Sequence, residues 1–155
     1  MSADEFIVTP WHVEGDIDYD KLIKKFGTQK ITQELLEKIK NITNEDHFML
    51  RRGIFFSHRE MNRILEDYEK GNEFFLYTGR GPSGHTHIGH LVPWVFAKWL
   101  QDKFDVNLYF QLTDDEKFYS KTNLTLEETT KYAYENALDF IALGFNPEKT
   151  KIIIN

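Results

Sequence analysis

The sequence predicts an α/β fold built around a parallel sheet. Three short runs, at 74–78, 107–113 and 151–154, are rich in the β-branched and aromatic residues of strands. The segments between them, at 91–103 and 125–144, repeat apolar residues at helical spacing. Strands and helices in this order form right-handed crossovers, and such sheets bind ligands at the carboxyl ends of their strands.

The beginning of the chain predicts a hairpin and a helix. Residues 5–13 form a short β-rich run that a proline breaks and that the turn residues 14–16 follow, which indicates an edge strand or a hairpin. The carboxylate of Asp18 can then cap a helix, and Gly27 can end it after Phe26.

Two more helices precede the sheet. Thr32 is a suitable N-cap for the first of them, and Ser57 with Glu60 has the spacing of a capping box for the second, which should end at Gly71. We expect apolar contacts from Leu35, Leu36 and Ile39 in one helix and from Met61, Ile64, Leu65 and Tyr68 in the other. These helices make an extension in front of the first strand.

The crossover helices and the last strand carry the residues of the core. The helical repeats consist of Leu91, Val92, Val95, Phe96, Trp99 and Leu100 in the first crossover and of Tyr132, Ala133, Ala137, Phe140 and Ile141 in the second. Thr125 begins the second crossover helix, and Pro147 prevents its continuation. The last strand, Lys151–Ile154, contains three consecutive isoleucines and should be buried on both faces.

The most informative segment is GRGPSGHTHIGH at residues 79–90, which joins the first strand to the first crossover helix. Its glycines let the backbone turn sharply and approach a ligand, and the free N–H groups at the start of a helix favour a phosphate. His87 and His90 should lie on one side of that first turn, where an imidazole could donate hydrogen bonds to phosphate oxygens. The segment predicts a nucleotide site, and Gly79 and Thr113 at neighbouring strand ends should bring it beside residues that follow the second strand.

The residues alone leave other interpretations of this segment open. Glycine-rich turns between a strand and a helix also occur without a ligand. The His-x-x-His spacing is also that of a metal-binding pair or of two surface caps. A metal would need further ligands, and the chain has no cysteine and no spacing that singles out other histidines or carboxylates.

Composition limits the class of protein. A chain of 155 residues with 41% hydrophobic content can bury one core, and the absence of cysteine excludes a disulfide scaffold. The first residues resemble no secretion signal and no apolar run approaches the length of a membrane span, so we expect a cytoplasmic protein with no membrane partner. The net charge of −6 argues against a nucleic-acid binder that works by electrostatics alone.

Residues 82–90, PSGHTHIGH, resemble the P-x-G-x-x-H-x-G-H motif of class I aminoacyl-tRNA synthetases, which holds ATP. Within that class, YTGRGPS at 77–83 and FQLTDDEK at 110–117 resemble the tryptophanyl-tRNA synthetases of eukaryotes and archaea. Further similar stretches near 18–27 and at 51–59 extend the resemblance over nearly the whole chain. It implies that the sheet is the first βαβαβ half of a Rossmann-like nucleotide-binding fold.

The resemblance implies an ATP site around the motif. Its contacts would come from Arg80, Gly81, Gly84, His87, Gly89, His90 and Lys117. His87 and His90 would be catalytic by stabilising charge on the α-phosphate, and Gly89 would leave room for adenine or ribose. The alternatives are a solvent-exposed Arg80 and, for Gly89, a close contact between helix and strand.

No protein-bound metal is implied, because Mg²⁺ would arrive with its substrate ATP. Asp114 and Asp115 could contact that ion, but capping of a short helix through Lys117 is the favoured role for them.

The resemblance also implies a tryptophan site formed by Tyr77, Gly79, Gln111 and Glu116. Tyr77 and Gln111 would bind the indole nitrogen and Glu116 the ammonium group. An apolar pocket discriminates by only about 1–3 kcal/mol per methylene-sized change, whereas an unpaired buried acceptor rejects the wrong ring about 10⁴-fold. Gln111 lies in an otherwise apolar strand, so we expect it to point inward and to need a partner. The alternatives are a Gln111 bonded only to backbone and a solvated Glu116.

The implied activity is the activation of L-tryptophan with ATP to tryptophanyl-adenylate and its transfer to tRNA(Trp). Residues 1–72 would be the hairpin and helical extension, with Trp11 as a lid over ATP or as a core residue, and 73–155 the first half of the catalytic domain. An interior strand at the end of the chain would leave edge groups unpaired, so we expect an amino-terminal portion of a longer enzyme. The resemblance implies that this enzyme is a homodimer and contacts tRNA mainly through other regions. Another nucleotidyltransferase and a non-catalytic interaction fragment remain the alternatives.

Overall fold

The computed structural model describes residues 7–8, 13–14 and 18–155. They belong to two compact units that divide between Glu66 and Asp67. The predicted functional boundary between residues 72 and 73 stays a prediction. Within the part of the chain described, no helix is long and apolar enough to cross a membrane.

The first unit opens with the predicted hairpin. Strand β1 (Ile7–Val8) pairs antiparallel with β2 (Val13–Glu14), and Val8 lies opposite Val13. Trp11, expected to be a lid or a core residue, lies outside the described residues. The hairpin prediction is confirmed for its two strands, although Glu14, predicted to be a turn residue, belongs to β2.

Helix α1 (Tyr19–Phe26) begins and ends where the sequence predicts. The carboxylate of Asp18 accepts the backbone N–H groups of Asp20 and Lys21, each at 3.0 Å. Gly27 ends the helix with a φ of 61°, in the left-handed region where glycine carries no steric penalty. Both signals are local in sequence, which is why they could be recognised there.

Helix α2 (Gln33–Thr43) also follows its predicted cap, since Thr32 Oγ1 accepts the N–H of Leu35 at 3.2 Å. Leu35 and Ile39 are buried, but the predicted core residue Leu36 is only half-buried. A four-residue helix that the sequence did not predict, α3 (Phe48–Arg51), follows.

The predicted capping box at Ser57 and Glu60 is wrong. After β3 (Gln29–Lys30), Ser57 lies in β4 (Ser57–His58) and pairs with Lys30. Helix α4 (Met61–Glu69) begins instead at the histidine ring, because His58 Nδ1 accepts the N–H of Met61 at 3.1 Å. A strand pairing over a long sequence separation therefore displaced a local cap. Leu65 of the predicted stripe is fully buried, but Ile64 is exposed.

The second unit contains the predicted α/β fold. Its parallel sheet has the order β5-β6-β7, with strands β5 (Phe75–Arg80), β6 (Asn107–Leu112) and β7 (Thr150–Ile154). The connecting helices are α5 (Ile88–Phe104), α6 (Asp114–Ser120) and α7 (Leu126–Ile141). The βαβαβ order of the first half of a Rossmann-like fold is confirmed.

Aromatic rings from β6, α5 and α7 fill the core on one face of this sheet. The rings of Phe110 and Phe140 stack with centroids 3.7 Å apart, and the indole of Trp94 meets them edge-on at 5.3 and 5.6 Å. All three side chains are almost completely buried. Such aromatic pairs add about 0.5–1.5 kcal/mol each beyond the free energy of burying their area.

The other face of the sheet is less covered than the sequence predicted. Residues along β7 alternate between half-buried and exposed, and Ile153 is 42% exposed, so the prediction of burial on both faces is wrong. Both α5 and α7 pack on the opposite face, which explains the alternation. Ile141, also predicted to be buried in α7, is exposed, and Tyr132 is only half-buried.

Gly79 lies inside β5 and not in the predicted turn. It pairs with Gln111 of β6, and a Cβ at this position would lie 2.3 Å from the carbonyl oxygen of Gln111. Contacts between non-bonded heavy atoms normally exceed 3 Å, so glycine is required by the neighbouring backbone.

We predict that Gly79→Ala lowers the free energy of unfolding by about 1–3 kcal/mol, the usual cost of an overpacked site. The reason is that the clashing oxygen belongs to a strand backbone, which cannot move aside as a side chain can. Urea denaturation would measure the change. Gly84→Ala is the matched control, since a Cβ at Gly84 meets no atom within 4 Å and should leave the midpoint nearly unchanged. Equal midpoints for the two variants would contradict the steric argument.

We predict that His58 makes the fold sensitive to acid. Burial lowers the pKa of His58, below the value of about 6.5 that the unfolded chain has. The unfolded state therefore binds more protons, and this contribution is complete above pH 6.5 and is lost as the pH falls through the folded-state pKa.

The variant His58→Asn places an amide oxygen near the position of Nδ1 and cannot titrate. Its free energy of unfolding should match the parent at pH 7.5 and fall less than the parent's at pH 5.5. His58→Ala should lose about 0.5–1.5 kcal/mol at both pH values, because the hydrogen bond to Met61 is gone. A parent and an asparagine variant with identical pH profiles would rule this role out.

Candidate active site

Two histidines cap the start of α5 reciprocally. His87 is the N-cap, and its Nδ1 accepts the N–H of Gly89 at 3.2 Å. His90 Nδ1 accepts the N–H of His87 itself at 3.1 Å. The two ring centroids are 3.7 Å apart, so the rings lie together at the first turn, as their spacing predicted.

The capping bonds determine which ring nitrogen carries the proton. A nitrogen that accepts a hydrogen bond has no proton, so each neutral ring carries its proton on Nε2. Burial lowers the pKa of His90, and the positive charge of Arg80 and the neighbouring His87 lower it further. His90 is therefore neutral at pH 7 and keeps an Nε2–H that can donate to an anion.

Of the alternatives for the histidine pair, the two caps are observed, and phosphate binding stays a prediction. Capping is observed, and it is compatible with phosphate binding because it uses the other nitrogen. In the described residues, no group of three or more histidines and carboxylates could hold a metal ion.

Arg80 ties the motif loop to the end of β5. Its guanidinium donates to Thr86 Oγ1 at 2.8 Å and to the carbonyl oxygens of Gly84 and His85 at 3.2 and 2.9 Å. Burial lowers the pKa of Arg80, although a guanidinium stays charged at pH 7. The alternative of a solvent-exposed Arg80 is not observed, because the residue is half-buried, and its contact with ATP stays a prediction.

Asn136 supports the same loop, a role that was not predicted from the sequence. This fully buried residue of α7 donates from Nδ2 to the carbonyl oxygen of Gly84 at 3.2 Å. An asparagine within the apolar stripe of a helix is a detectable signal, because a buried amide must find partners. The loop is held from both β5 and α7.

Lys117 brings α6 onto the glycines of the motif. A Cβ at Gly81 would lie 1.8 Å from Lys117 Cε, so the lysine side chain occupies the space that this glycine leaves. The N–H of Thr113 donates to the carbonyl oxygen of Arg80 at 3.1 Å. The motif and the end of the second strand therefore meet, as the strand ends predicted.

Gly89 lies beside a side chain, whereas a Cβ at Gly84 would meet no atom within 4 Å. A Cβ at Gly89 would lie 3.1 Å from the ring of His87, so this glycine leaves room for the imidazole. The alternative of a close contact between helix and strand is not observed at this position.

Glu116 is anchored as a carboxylate at the start of α6. Its oxygens accept from Lys117 Nζ at 2.9 Å and from Thr113 Oγ1 at 3.0 Å. The hydrogen bond from Lys117 is the main reason why the pKa of Glu116 is lowered. Its side chain is 56% exposed and carries a negative charge at neutral pH.

The predicted capping of α6 by Asp114 or Asp115 is wrong, since the N-cap residue is Thr113. Asp114 is buried and accepts from Thr130 Oγ1 at 2.8 Å. Asp115 Oδ1 accepts the N–H of Glu116 at 2.7 Å. Both carboxylates thus have structural partners, which a pattern of consecutive acids does not reveal.

Tyr77 and Gln111 are hydrogen-bonded side chain to side chain, through the Tyr77 hydroxyl and Gln111 Oε1. Gln111 Nε2 donates to Asn155 Oδ1 at 2.7 Å. The expectation that Gln111 points into the core is wrong, because alternate residues of β6 fill the core and Gln111 lies half-buried on the other face. The alternative in which Gln111 bonds only to backbone is also wrong, and Asn155 was not predicted from the sequence as its partner.

A family model described as class I tRNA synthetases (W and Y) matches residues 68–155. The chain is 62% identical over 151 residues to the tryptophan–tRNA ligase of Sulfurisphaera tokodaii and covers 40% of that protein with 97% of its own length. It is 59% identical over 154 residues to the tryptophan–tRNA ligase of Pyrococcus horikoshii, covering 99% of the chain and 40% of that protein. The chain thus spans about 40% of the length of these curated relatives.

Two solved structures of tryptophanyl-tRNA synthetases have a fold similar to that of this chain. The tryptophanyl-tRNA synthetase of Plasmodium falciparum superposes with a TM-score of 0.86 at 48% identity, over 90% of this chain and 40% of that one. The enzyme from Trypanosoma brucei gives 0.83 at 52% identity, over 88% of this chain and 42% of that one. Since the family model matches more than half of its residues, the chain belongs to the class I tRNA synthetases of the tryptophan and tyrosine (W and Y) family.

Proposed function

We propose that this chain contributes the ATP and tryptophan sites of a tryptophan–tRNA ligase. The observation that carries the proposal is the contact between the histidine-containing motif and the end of β6. There Lys117, the partner of Glu116, fills the space beside Gly81, and the N–H of Thr113 donates to the carbonyl oxygen of Arg80. The similarity to curated tryptophan–tRNA ligases at 57–62% identity supports the same assignment.

In the proposed reaction, the carboxylate of tryptophan attacks the α-phosphorus of ATP and pyrophosphate leaves. Negative charge builds on the α-phosphate oxygens during this step. The rings of His87 and His90 accept backbone N–H groups at Nδ1, so the Nε2–H of each would donate a hydrogen bond to those oxygens. Arg80, Gly81, Gly84, Gly89 and Lys117 would form the rest of the ATP site.

Tryptophan would be recognised at both of its ends. Glu116, ionised and anchored by Lys117 and Thr113, would bind the ammonium group. Tyr77 and Gln111 would bind the indole N–H, and Gly79 would leave space beside them. Phenylalanine would leave these polar groups unpaired, so this site would reject it more strongly than an apolar pocket would.

The remaining features of the proposed enzyme rest on the resemblance to tryptophanyl-tRNA synthetases. They are Mg²⁺ bound with ATP, transfer of the adenylate to tRNA(Trp), a homodimer and a cytoplasmic location. Residues 73–155 would form the first half of the catalytic domain.

We predict that tryptophan and ATP with Mg²⁺ raise the melting temperature of this chain together, more than either does alone. Ligands that bind only the folded state stabilise it in proportion to the logarithm of their concentration over Kd. Differential scanning fluorimetry would measure the shift, with tyrosine in place of tryptophan as the control. An equal shift with tyrosine would contradict the proposed selectivity.

We predict that His87→Asn and His90→Asn separate capping from catalysis. The amide oxygen of asparagine can accept the same backbone N–H as Nδ1, but the Nε2–H donor is lost. Tryptophan-dependent exchange of pyrophosphate into ATP should therefore fall about 10²-fold or more, while the melting temperature changes little.

The histidine experiment has a matched control in His85→Asn, since the His85 ring is 80% exposed and lies beside Glu135. Exchange should be unchanged in that variant. The assay would be run on this chain and on the chain extended to the length of its relatives with the remainder of the Sulfurisphaera tokodaii enzyme. Full exchange activity in both asparagine variants would overturn the role of the pair.

A further inference from the structure

We infer that Asp115 and Asn155 are positioning residues that fix the donor and acceptor polarity of the Tyr77–Gln111 pair. Through them the pair offers acceptors to a substrate whose aromatic ring carries an N–H. The inference rests on the proposed function and extends it to two residues outside the predicted site.

The hydrogen bonds form one continuous chain that begins at Asp115. Asp115 Oδ1 accepts from Asn155 Nδ2 at 2.9 Å and from the backbone N–H of Glu116 at 2.7 Å. An ionised carboxylate has acceptors and no donor. The amide of Asn155 must therefore turn its NH₂ group toward Asp115 and its oxygen toward Gln111.

The orientation of Asn155 fixes that of Gln111, and Gln111 in turn fixes the direction of the Tyr77 hydroxyl. Gln111 Nε2 donates to Asn155 Oδ1 at 2.7 Å, so Gln111 Oε1 faces Tyr77 and accepts its hydroxyl proton. A phenol hydroxyl can donate one hydrogen bond, and here it donates that bond to Gln111 Oε1. The lone pairs of the Tyr77 oxygen and the second lone pair of Gln111 Oε1 are then the polar groups left for a ligand.

The sheet register makes this chain of bonds possible. Tyr77 of β5 pairs with Tyr109, and Gln111 lies two residues further along β6 on the same face. Gln111 pairs with Ile153, and Asn155 lies two residues beyond it, after the end of β7. Each step is therefore a diagonal contact between neighbouring parallel strands, and the last step reaches Asp115 in the first turn of α6.

The inference explains how an amide, which can present either of its ends, selects a donor. With Asp115 in place, turning the Gln111 amide over would set NH₂ against Tyr77 and oxygen against the oxygen of Asn155. Without the carboxylate of Asp115 at the start of this series of hydrogen bonds, the amides of Asn155 and Gln111 can turn over together at little cost. The site would then accept a ring that lacks an N–H more readily.

The test compares two ligands, L-tryptophan and its analogue 3-benzothienyl-L-alanine, in which sulfur replaces the ring N–H. Isothermal titration calorimetry of this chain would give the ratio of their Kd values for the parent and for Asp115→Ala and Asn155→Ala. Alanine is needed at position 115, because an asparagine oxygen held by the N–H of Glu116 could still accept from Asn155. We expect the preference for tryptophan to fall at least about tenfold in both variants, mainly through weaker binding of tryptophan. Asp102→Ala, the same change at an exposed carboxylate of α5, should keep the parental ratio.

The outcomes separate this inference from the proposed function. A parent chain that binds no tryptophan would overturn both. A parent that prefers tryptophan, with variants that keep the same ratio, would overturn the inference alone. A purely structural role would weaken both ligands equally and would also leave the ratio unchanged.

A second measurement needs no ligand. The side-chain amide resonances of Gln111 in ¹H–¹⁵N spectra should shift in Asp115→Ala, although the two residues do not bond to each other, and should stay in place in Asp102→Ala. Unshifted Gln111 resonances in a folded Asp115→Ala variant would overturn the inference.

Discussion

The arrangement of the site depends on the close approach of two parallel backbones at Gly79 and Gln111. Because Gly79 has no Cβ, β5 and β6 can approach closely in the register that places Tyr77 and Gln111 on the same face. The same register brings the carbonyl oxygen of Arg80 to the N–H of Thr113, where β6 gives way to α6. The positions of Tyr77 and Gln111 and the start of α6 therefore follow from this contact between strands.

The sheet separates packing from chemistry by the alternation of its residues. One face carries the stacked rings of Phe110 and Phe140 with Trp94 across them, and the helices α5 and α7 cover it. The other face carries the polar chain from Tyr77 to Asn155. Since neighbouring residues of a strand point to opposite sides, the core can be rigid while the polar face stays open to a ligand.

Sequence reasoning succeeded where the signal is local and failed where the partner is distant. Asp18, Thr32 and Thr125 cap helices because each bonds to a backbone group within three residues. Ser57 failed as a cap because it pairs with Lys30 in a sheet. The direction of Gln111 and the exposure of Ile153 depend on which face the helices cover, and the bonds of Asn136 and Asn155 cross many residues. Patterns along a chain cannot supply such contacts.

The paired rings at the start of α5 cap the helix with one atom each and, in the proposed function, would bind phosphate with another. Each ring needs an acceptor one bond from Cγ for the backbone and a donor further out for the proposed phosphate. Histidine alone among the twenty residues offers both at these distances, since asparagine lacks the outer donor and glutamine the inner acceptor. No other residue type at these two positions therefore serves both the cap and the proposed phosphate contact, and a substitution that spares one of them must damage the other.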